Sequence, residues 1–297
     1  MSSQSSALSV SPAGEPAAPH GAQAAGAVNP RLIQVYDAMR DALRRVVVEQ
    51  QVTHQEYCQG VEFMNRVAAA GEVNLICDFI FEAAVMEAHF ASSKGTAFNA
   101  EGPYYLPGAP RLTLPYVVPM KGEVSGTPLI FSGTVRDLDG KPLPGALIEF
   151  WHSTADGLYS NIDAEVPEWN FRAQFDALED GSFEVRTILP CPYEISKTGP
   201  VGEMQTAMGR HKFRPAHLHL KVTYPGKEPL TTQIYFNGDP YVESDAANCV
   251  HQSLVIGLDD VTDAASIERS GTGGPYVHGH FDFVLCPASQ ARNARLR

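Results

Sequence analysis

Gly209-Arg210-His211-Lys212-Phe213-Arg214-Pro215-Ala216-His217-Leu218-His219-Leu220-Lys221-Val222 is a basic loop that runs into an alternating segment, and the architecture can be worked out from it. Side chains two apart on a strand share a face. His217 and His219 therefore present two imidazoles to one point, while Leu218 and Leu220 face the other way and can pack. Pro215 fixes the start of the strand, and two imidazoles so placed have metal-ligand spacing. The same pattern recurs at His278-Gly279-His280, where Gly279 and the following Phe281-Asp282-Phe283 read as an ordinary terminal strand. The spacing alone does not single out a site.

Around this segment, from Gly102 onward, the chain is a series of short β-rich runs divided by Gly, Pro and Asp-Gly turns. Strands are expected at 129–135, 146–151, 183–188, 217–224, 230–236, 254–258 and 280–285. Asp139-Gly140 and Asp180-Gly181 mark turns between them. The expected fold is mainly β, a β-sandwich whose ligand groups come from strand ends and loops. There is no internal repeat, no Gly-rich phosphate loop and no nucleophile elbow.

Before Gly102 the pattern is helical. Asn29-Pro30 supplies an N-cap and a proline at the first helical position, after which Leu32, Val35, Tyr36, Met39, Leu43, Val46 and Val47 recur at helical spacing. Thr53-His54-Gln55-Glu56 is a capping box for a second helix that Gly71 is placed to end. A third helix is expected over 73–89, apolar on more than one face. Residues 1–28 are Ser, Ala, Pro, Gly and Gln with few bulky apolar side chains, a composition expected to stay disordered. The domain reading is thus a tail at 1–28, a helical N-terminal domain at 29–100 and a sandwich at 101–297. The apolar stripe of the first helix serves either core packing or subunit contact.

Composition narrows the function classes. The 297 residues are 44% hydrophobic, enough for a sizeable core. Lys+Arg 22 against Asp+Glu 34 gives a formal charge of -12, which disfavours nucleic acid and anionic membranes as partners. A basic loop in such a chain is a local feature suited to a small anionic ligand. Cys58, Cys77, Cys191, Cys249 and Cys286 form no C-x-x-C pair and read as reduced thiols of a cytosolic protein. No run approaches the ~20 apolar residues of a membrane span, and no signal-peptide pattern opens the chain.

Arg214-Pro215-Ala216-His217-Leu218-His219, taken with Gly157-Leu158-Tyr159-Ser160, Pro190-Cys191-Pro192-Tyr193 and Thr231-Thr232-Gln233, resembles the intradiol ring-cleaving dioxygenases of the catechol 1,2-dioxygenase group. The likeness runs from Asn29 to the C-terminus and includes Glu101-Gly102-Pro103-Tyr104-Tyr105. It implies one non-haem Fe(III) per subunit bound by Tyr159, Tyr193, His217 and His219, with Tyr193 and His219 axial. Phenolate oxygen is a hard, electron-donating anion that favours ferric over ferrous iron. A bound trication also offsets the ordinary phenol pKa of ~10.

The resemblance further implies that a catechol displaces Tyr193, whose phenolate takes substrate protons. O2 then cleaves the ring between the hydroxyl-bearing carbons to give a cis,cis-muconate. Arg214 would stabilise negative charge near the ring, and Gln233 would hold the arginine or the pocket wall. Leu75, Asp78, Ala100, Gly102, Pro103, Tyr104 and Ala247 are the candidate wall. Small Ala247 leans toward catechol as substrate, whereas Asp78 could bond the third hydroxyl of hydroxyquinol; chlorocatechols are the other family substrates. A homodimer through the N-terminal helices, with a phospholipid between subunits, is also implied.

Each residue has a plainer reading. Tyr159 and Tyr193 could be a turn and a packing tyrosine, Arg214 could pair with an acid, and Gln233 could satisfy a strand backbone. Two other classes compete with the dioxygenase. One is a colourless divalent-metal sandwich using His217, His219 and a carboxylate, and the other a lipid- or partner-binding relative without iron. Neither requires two phenolates.

Overall fold

The computed structural model describes residues 28–90, 94–196 and 198–288, so nearly all of the expected tail lies outside the described residues. The chain divides into two compact units, with the division between Gly60 and Val61.

The first unit contains α1 (Pro30–Glu49) and the start of α2 (His54–Ala69). Both begin as their sequences dictate. The Asn29 side chain accepts from the Leu32 N–H at 3.0 Å, with Pro30 in the first turn. The Glu56 N–H donates to Thr53 Oγ1 at 3.2 Å while the Thr53 N–H donates to Glu56 Oε2 at 2.8 Å, a reciprocal capping box. Leu32, Tyr36, Met39, Leu43, Val46 and Val47 are all exposed along α1.

In the second unit the helix expected over 73–89 is in three parts: α3 (Val73–Cys77), a π-helical turn at Asp78–Glu82 and α4 (Ala83–Phe90). A π turn inserts an extra residue into the repeat and rotates the next stretch of helix about its axis. Propensity does not encode it, so a continuous helix is what the sequence suggests.

The sandwich begins with β1 (Tyr116–Val117), β2 (Pro128–Asp137), β3 (Leu147–Trp151), β4 (Arg172–Asp176) and β5 (Ser182–Ile188). Then come β6 (Tyr193–Glu194), α5 (Pro200–Ala207), β7 (Phe213–Arg214), β8 (His217–Thr223) and β9 (Leu230–Phe236). It ends with β10 (Val255–Ile256), β11 (Leu258–Val261), α6 (Ala264–Ser270), β12 (Tyr276–His280) and β13 (Phe283–Leu285). One sheet has the order β1-β5-β2-β12-β11, with β13 also on β2; the other runs β10-β9-β8-β3-β4. Leu129, Phe131, Ile148, Phe150, Phe175, Phe183, Val185, Leu218 and Leu220 belong to the buried core cluster. Burying such side chains stabilises the fold by roughly 1.5–3 kcal/mol each before entropy is counted.

Several expectations change in detail. Asp139-Gly140 and Asp180-Gly181 lie in turns as expected, closed by the Gly140 N–H to the Asp137 carbonyl and the Gly181 N–H to the Leu178 carbonyl, and each leads the chain on to a strand of the other sheet. The strand expected at 254–258 splits into β10 and β11, one in each sheet, and the run at 280–285 breaks between β12 and β13. β4 was not anticipated. His278 and His280 lie on β12, where the Ser132 hydroxyl meets His278 Nε2 at 2.9 Å and His280 Nδ1 at 3.0 Å. Among the described residues no helix is long and apolar enough to cross a membrane.

Candidate metal centre and substrate pocket

β8 lies between β9 and β3, with His217 opposite Tyr235, and His219 flanked by Gln233 and Trp151. Central position buries both histidines, 1% and 2% exposed, on the face opposite Leu218 and Leu220. The two-residue ribbon of β6 and β7 pairs Tyr193 with Arg214 and so delivers an oxygen donor. Tyr159 arrives on the loop after β3. Gly157 makes that approach possible: its φ is +77° and a Cβ there would stand 2.5 Å from Tyr193 Cβ.

Four donor atoms converge. Tyr159 Oη is 3.3 Å from Tyr193 Oη, Tyr193 Oη is 3.4 Å from His217 Nε2, and His217 Nε2 is 3.0 Å from His219 Nε2. Donors held about 2.0–2.1 Å from one cation at near-right angles stand about 3 Å apart, so the spacing suits a shared metal. The His217 Nδ1–H donates to the Pro215 carbonyl at 2.7 Å, which leaves Nε2 as a lone pair. His219 Nδ1 is buried with no hydrogen-bond partner, and its ring stacks on Trp151 at 4.7 Å. Two imidazole nitrogens this close repel unless a proton or cation lies between them.

Burial, then the Arg214 charge, lowers His217 to about 3, and burial with the His217 charge holds His219 well below the imidazole range. Both rings are neutral and able to ligate. Burial raises Tyr159 well above the phenol range and Tyr193 to about 12. A cation is what would make them phenolates at neutral pH. Among the described residues no group of three or more His, Cys, Asp or Glu gathers around a point, so the competing divalent-metal reading lacks its carboxylate. The donor set fits a hard, high-valent ion such as Fe(III).

Leu75, Asp78, Ala100, Gly102, Pro103, Tyr104, Arg214 and Ala247 all line one narrow pocket, together with Tyr193 and His219. Phe79, Ile195 and Cys249 complete it. Leu75, Asp78 and Phe79 reach it from α3 and the π turn. Burial, followed by a hydrogen bond and charge from Glu82, raises the half-buried Asp78 carboxyl to about 7.

Arg214 does pair with an acid, as its plainer reading held, and it lines the pocket as well. Its Nε donates to Asp245 Oδ1 at 3.1 Å, and its Nη2 donates to Asp245 Oδ2 and the Tyr235 hydroxyl at 3.0 Å each. Gln233 does not hold the arginine directly. Its Nε2 donates to the Ala100 carbonyl at 2.7 Å and its Oε1 accepts from the Tyr235 hydroxyl at 2.7 Å, so it reaches Arg214 only through Tyr235. Tyr235 was missed, though its place two residues after Gln233 on a strand signals a shared face. Asp245 was missed because its partner is 31 residues away.

The chain matches the family model described as "Dioxygenase" over residues 100–287 and that described as "Catechol dioxygenase N terminus" over residues 29–96. It is 39% identical over 236 residues to a chlorocatechol 1,2-dioxygenase of Rhodococcus opacus, covering 78% of this chain and 92% of the relative. It is 34% identical over 268 residues to a catechol 1,2-dioxygenase of Acinetobacter baylyi, covering 86% of each. The crystal structure of 3-chlorocatechol 1,2-dioxygenase from Rhodococcus opacus superposes with a TM-score of 0.80 at 36% identity, covering 87% of this chain and 99% of that one. Likeness at this level, spanning both the helical and the sandwich parts, establishes that the chain belongs to the intradiol ring-cleavage dioxygenase family, in its catechol 1,2-dioxygenase group.

Proposed function

We propose that this enzyme opens the ring of substituted catechols, chlorocatechols foremost, between the two hydroxyl-bearing carbons, using O2 and one Fe(III) held by Tyr159, Tyr193, His217 and His219. The observation that carries the substrate class is the higher identity to the chlorocatechol enzyme, 39% against 34% for the catechol enzyme. Unsubstituted catechol, toward which Ala247 leaned, has less support. Ala247 suits a substituted ring equally, because a methyl side chain in the wall leaves room beside the substrate. Hydroxyquinol is the second reading, favoured by the Asp78 carboxyl on the wall, a partner for a third hydroxyl.

When bound, ferric iron acts as a Lewis acid that draws electron density from a catecholate and makes the ring reactive toward O2. The chain's own groups do the rest. Tyr193, as the phenolate that a bound cation would make it, would accept a proton from a substrate hydroxyl and become a neutral phenol. Arg214, fixed by Asp245 and Tyr235, stabilises negative charge that develops on the ring without having to reorient. Leu75, Phe79 and Ile195 keep water from that charge, and Gln233 fixes the wall at Ala100.

Pairing of subunits through the exposed stripe of α1 belongs to the same proposal, as does a phospholipid along it. The contiguous exposed apolar face of Tyr36, Met39, Leu43 and Val47 supports it. Residence in the cytosol is proposed with it, and five free cysteine thiols agree with that.

The test is a visible spectrum of the iron-loaded protein with and without anaerobic 4-chlorocatechol, followed by kcat/KM for catechol, 4-chlorocatechol and hydroxyquinol. A broad phenolate-to-iron band that moves to longer wavelength, with 4-chlorocatechol the best substrate, is expected. A colourless iron-loaded protein overturns the ligand assignment, and a preference for hydroxyquinol overturns the substrate class.

A further inference from the structure

Arg172, on β4, is 1% exposed, and among the described residues no carboxylate forms an ion pair with it. A buried cation without an anion is costly, so its surroundings call for an account. Its Nε donates to Ser160 Oγ at 3.0 Å and to the Ser160 carbonyl at 3.2 Å, while its Nη2 donates to the same carbonyl at 3.0 Å. Its Nη1 donates to the Tyr104 carbonyl at 2.6 Å. These bonds satisfy the fork with dipoles alone.

The guanidinium carbon lies 5.7 Å from the centre of the Tyr159 ring. Tyr104, whose backbone Arg172 grips, packs its own ring on Tyr159 at 4.6 Å. Ser160, the other anchor, directly follows Tyr159 and is itself tied to the Asn170 carbonyl at 2.6 Å. One side chain therefore spans a donor loop and a wall residue of the pocket.

We propose that Arg172 is a positioning residue whose missing counter-ion is the Tyr159 phenolate formed when iron binds, and that it locks Tyr104 and Tyr159 into one unit. The inference rests on the ferric reading of the site. The cation lies beside the phenolate donor and lowers the energy of its electrons. Removing it raises that energy and moves the phenolate-to-iron transition to longer wavelength. In metal-free protein the phenol is neutral and the cation uncompensated, so the charge serves iron binding rather than the fold.

The experiment compares the parent with Arg172→Gln, which keeps amide donors but loses the charge, and Arg172→Lys, which keeps the charge. Each is measured for the visible spectrum after iron loading, for the rate of iron loss to a chelator, and for thermal unfolding without metal. Expected for Arg172→Gln are a band displaced to longer wavelength, about ten-fold faster iron loss and metal-free stability at or above the parent's. Arg172→Lys should restore the band position. An unchanged band and unchanged iron loss in Arg172→Gln overturn the proposal, as does a Gln variant that fails to fold without metal where the Lys variant folds. A parent that takes up iron and stays colourless overturns the ferric reading instead.

Discussion

The two sides of the pocket are built on different principles. The strand side carries His217, His219 and Gln233 on central strands, all at most 2% exposed, with Arg214 pinned by Asp245 and Tyr235. The helical side offers Leu75, Asp78 and Phe79 from a helix interrupted by a π turn, and these residues are only half-buried. Sheet hydrogen bonds hold the first group in register, while the second can change side chain with little cost to the fold. On the proposed function, chemistry and selectivity would be kept apart, with reaction machinery on the strands and substrate choice on the helix.

If that division holds, the strand side responds most strongly to substitution. Arg214→Ala should lower kcat by about 10²–10³-fold, the cost of losing one preorganised group at developing charge. The iron-loaded band should persist, because Arg214 is not among the converging donors. Loss of the band together with activity would make the arginine part of the metal cradle and blur the division of labour.

Asp245→Ala probes the same side through stability. It leaves Arg214 buried and unpaired, at a cost of about 3–5 kcal/mol in denaturant unfolding. Burial alone would raise the Asp245 carboxyl, but the Arg214 pair outweighs it and holds the group below the ordinary carboxylate range. Its stabilisation is present above the unfolded pKa and is lost as pH falls through the folded one. The parent should therefore lose stability in acid, and the variant should lack that component. Tyr235→Phe, which strips the hydroxyl joining Arg214 to Gln233, should cost about 1–3 kcal/mol. A variant as stable as the parent would show that the network does not depend on that link.

How much of this was legible depends on range. The alternation of His217-Leu218-His219-Leu220 is a property of four neighbours, and it put both imidazoles on one face. The caps at Asn29 and Thr53 are likewise local, and both form. Gly157 could be read only as a turn; that its bare Cα admits Tyr193 depends on a residue 36 positions on. The ribbon of β6 and β7 is two residues long on each strand and has no periodicity to detect. Arg172 announced nothing in sequence, since β4 was not expected and its partners are two carbonyls and a serine hydroxyl.

The helical side should give the smaller effects. Asp78→Leu should shift the ratio of kcat/KM for hydroxyquinol over 4-chlorocatechol toward the chlorinated ring by about ten-fold, the scale of a lost wall contact. An unchanged ratio would remove the π turn from substrate choice. The subtlest prediction concerns pH. With its carboxyl raised to about 7, Asp78 is protonated in mild acid and gains charge as pH rises, with Glu82 alongside and Arg214 partly opposing the shift. A raised acid carries no penalty below its unfolded pKa and costs stability increasingly as pH rises from there through about 7. The same step places negative charge beside a bound ring, which a chlorine substituent does not solvate. KM for 4-chlorocatechol should therefore rise a few-fold from about pH 6 to about pH 8 in the parent and stay flat in Asp78→Asn, whose side chain does not ionise. An identical rise in both would move the titration to another group and leave the wall's selectivity to shape alone.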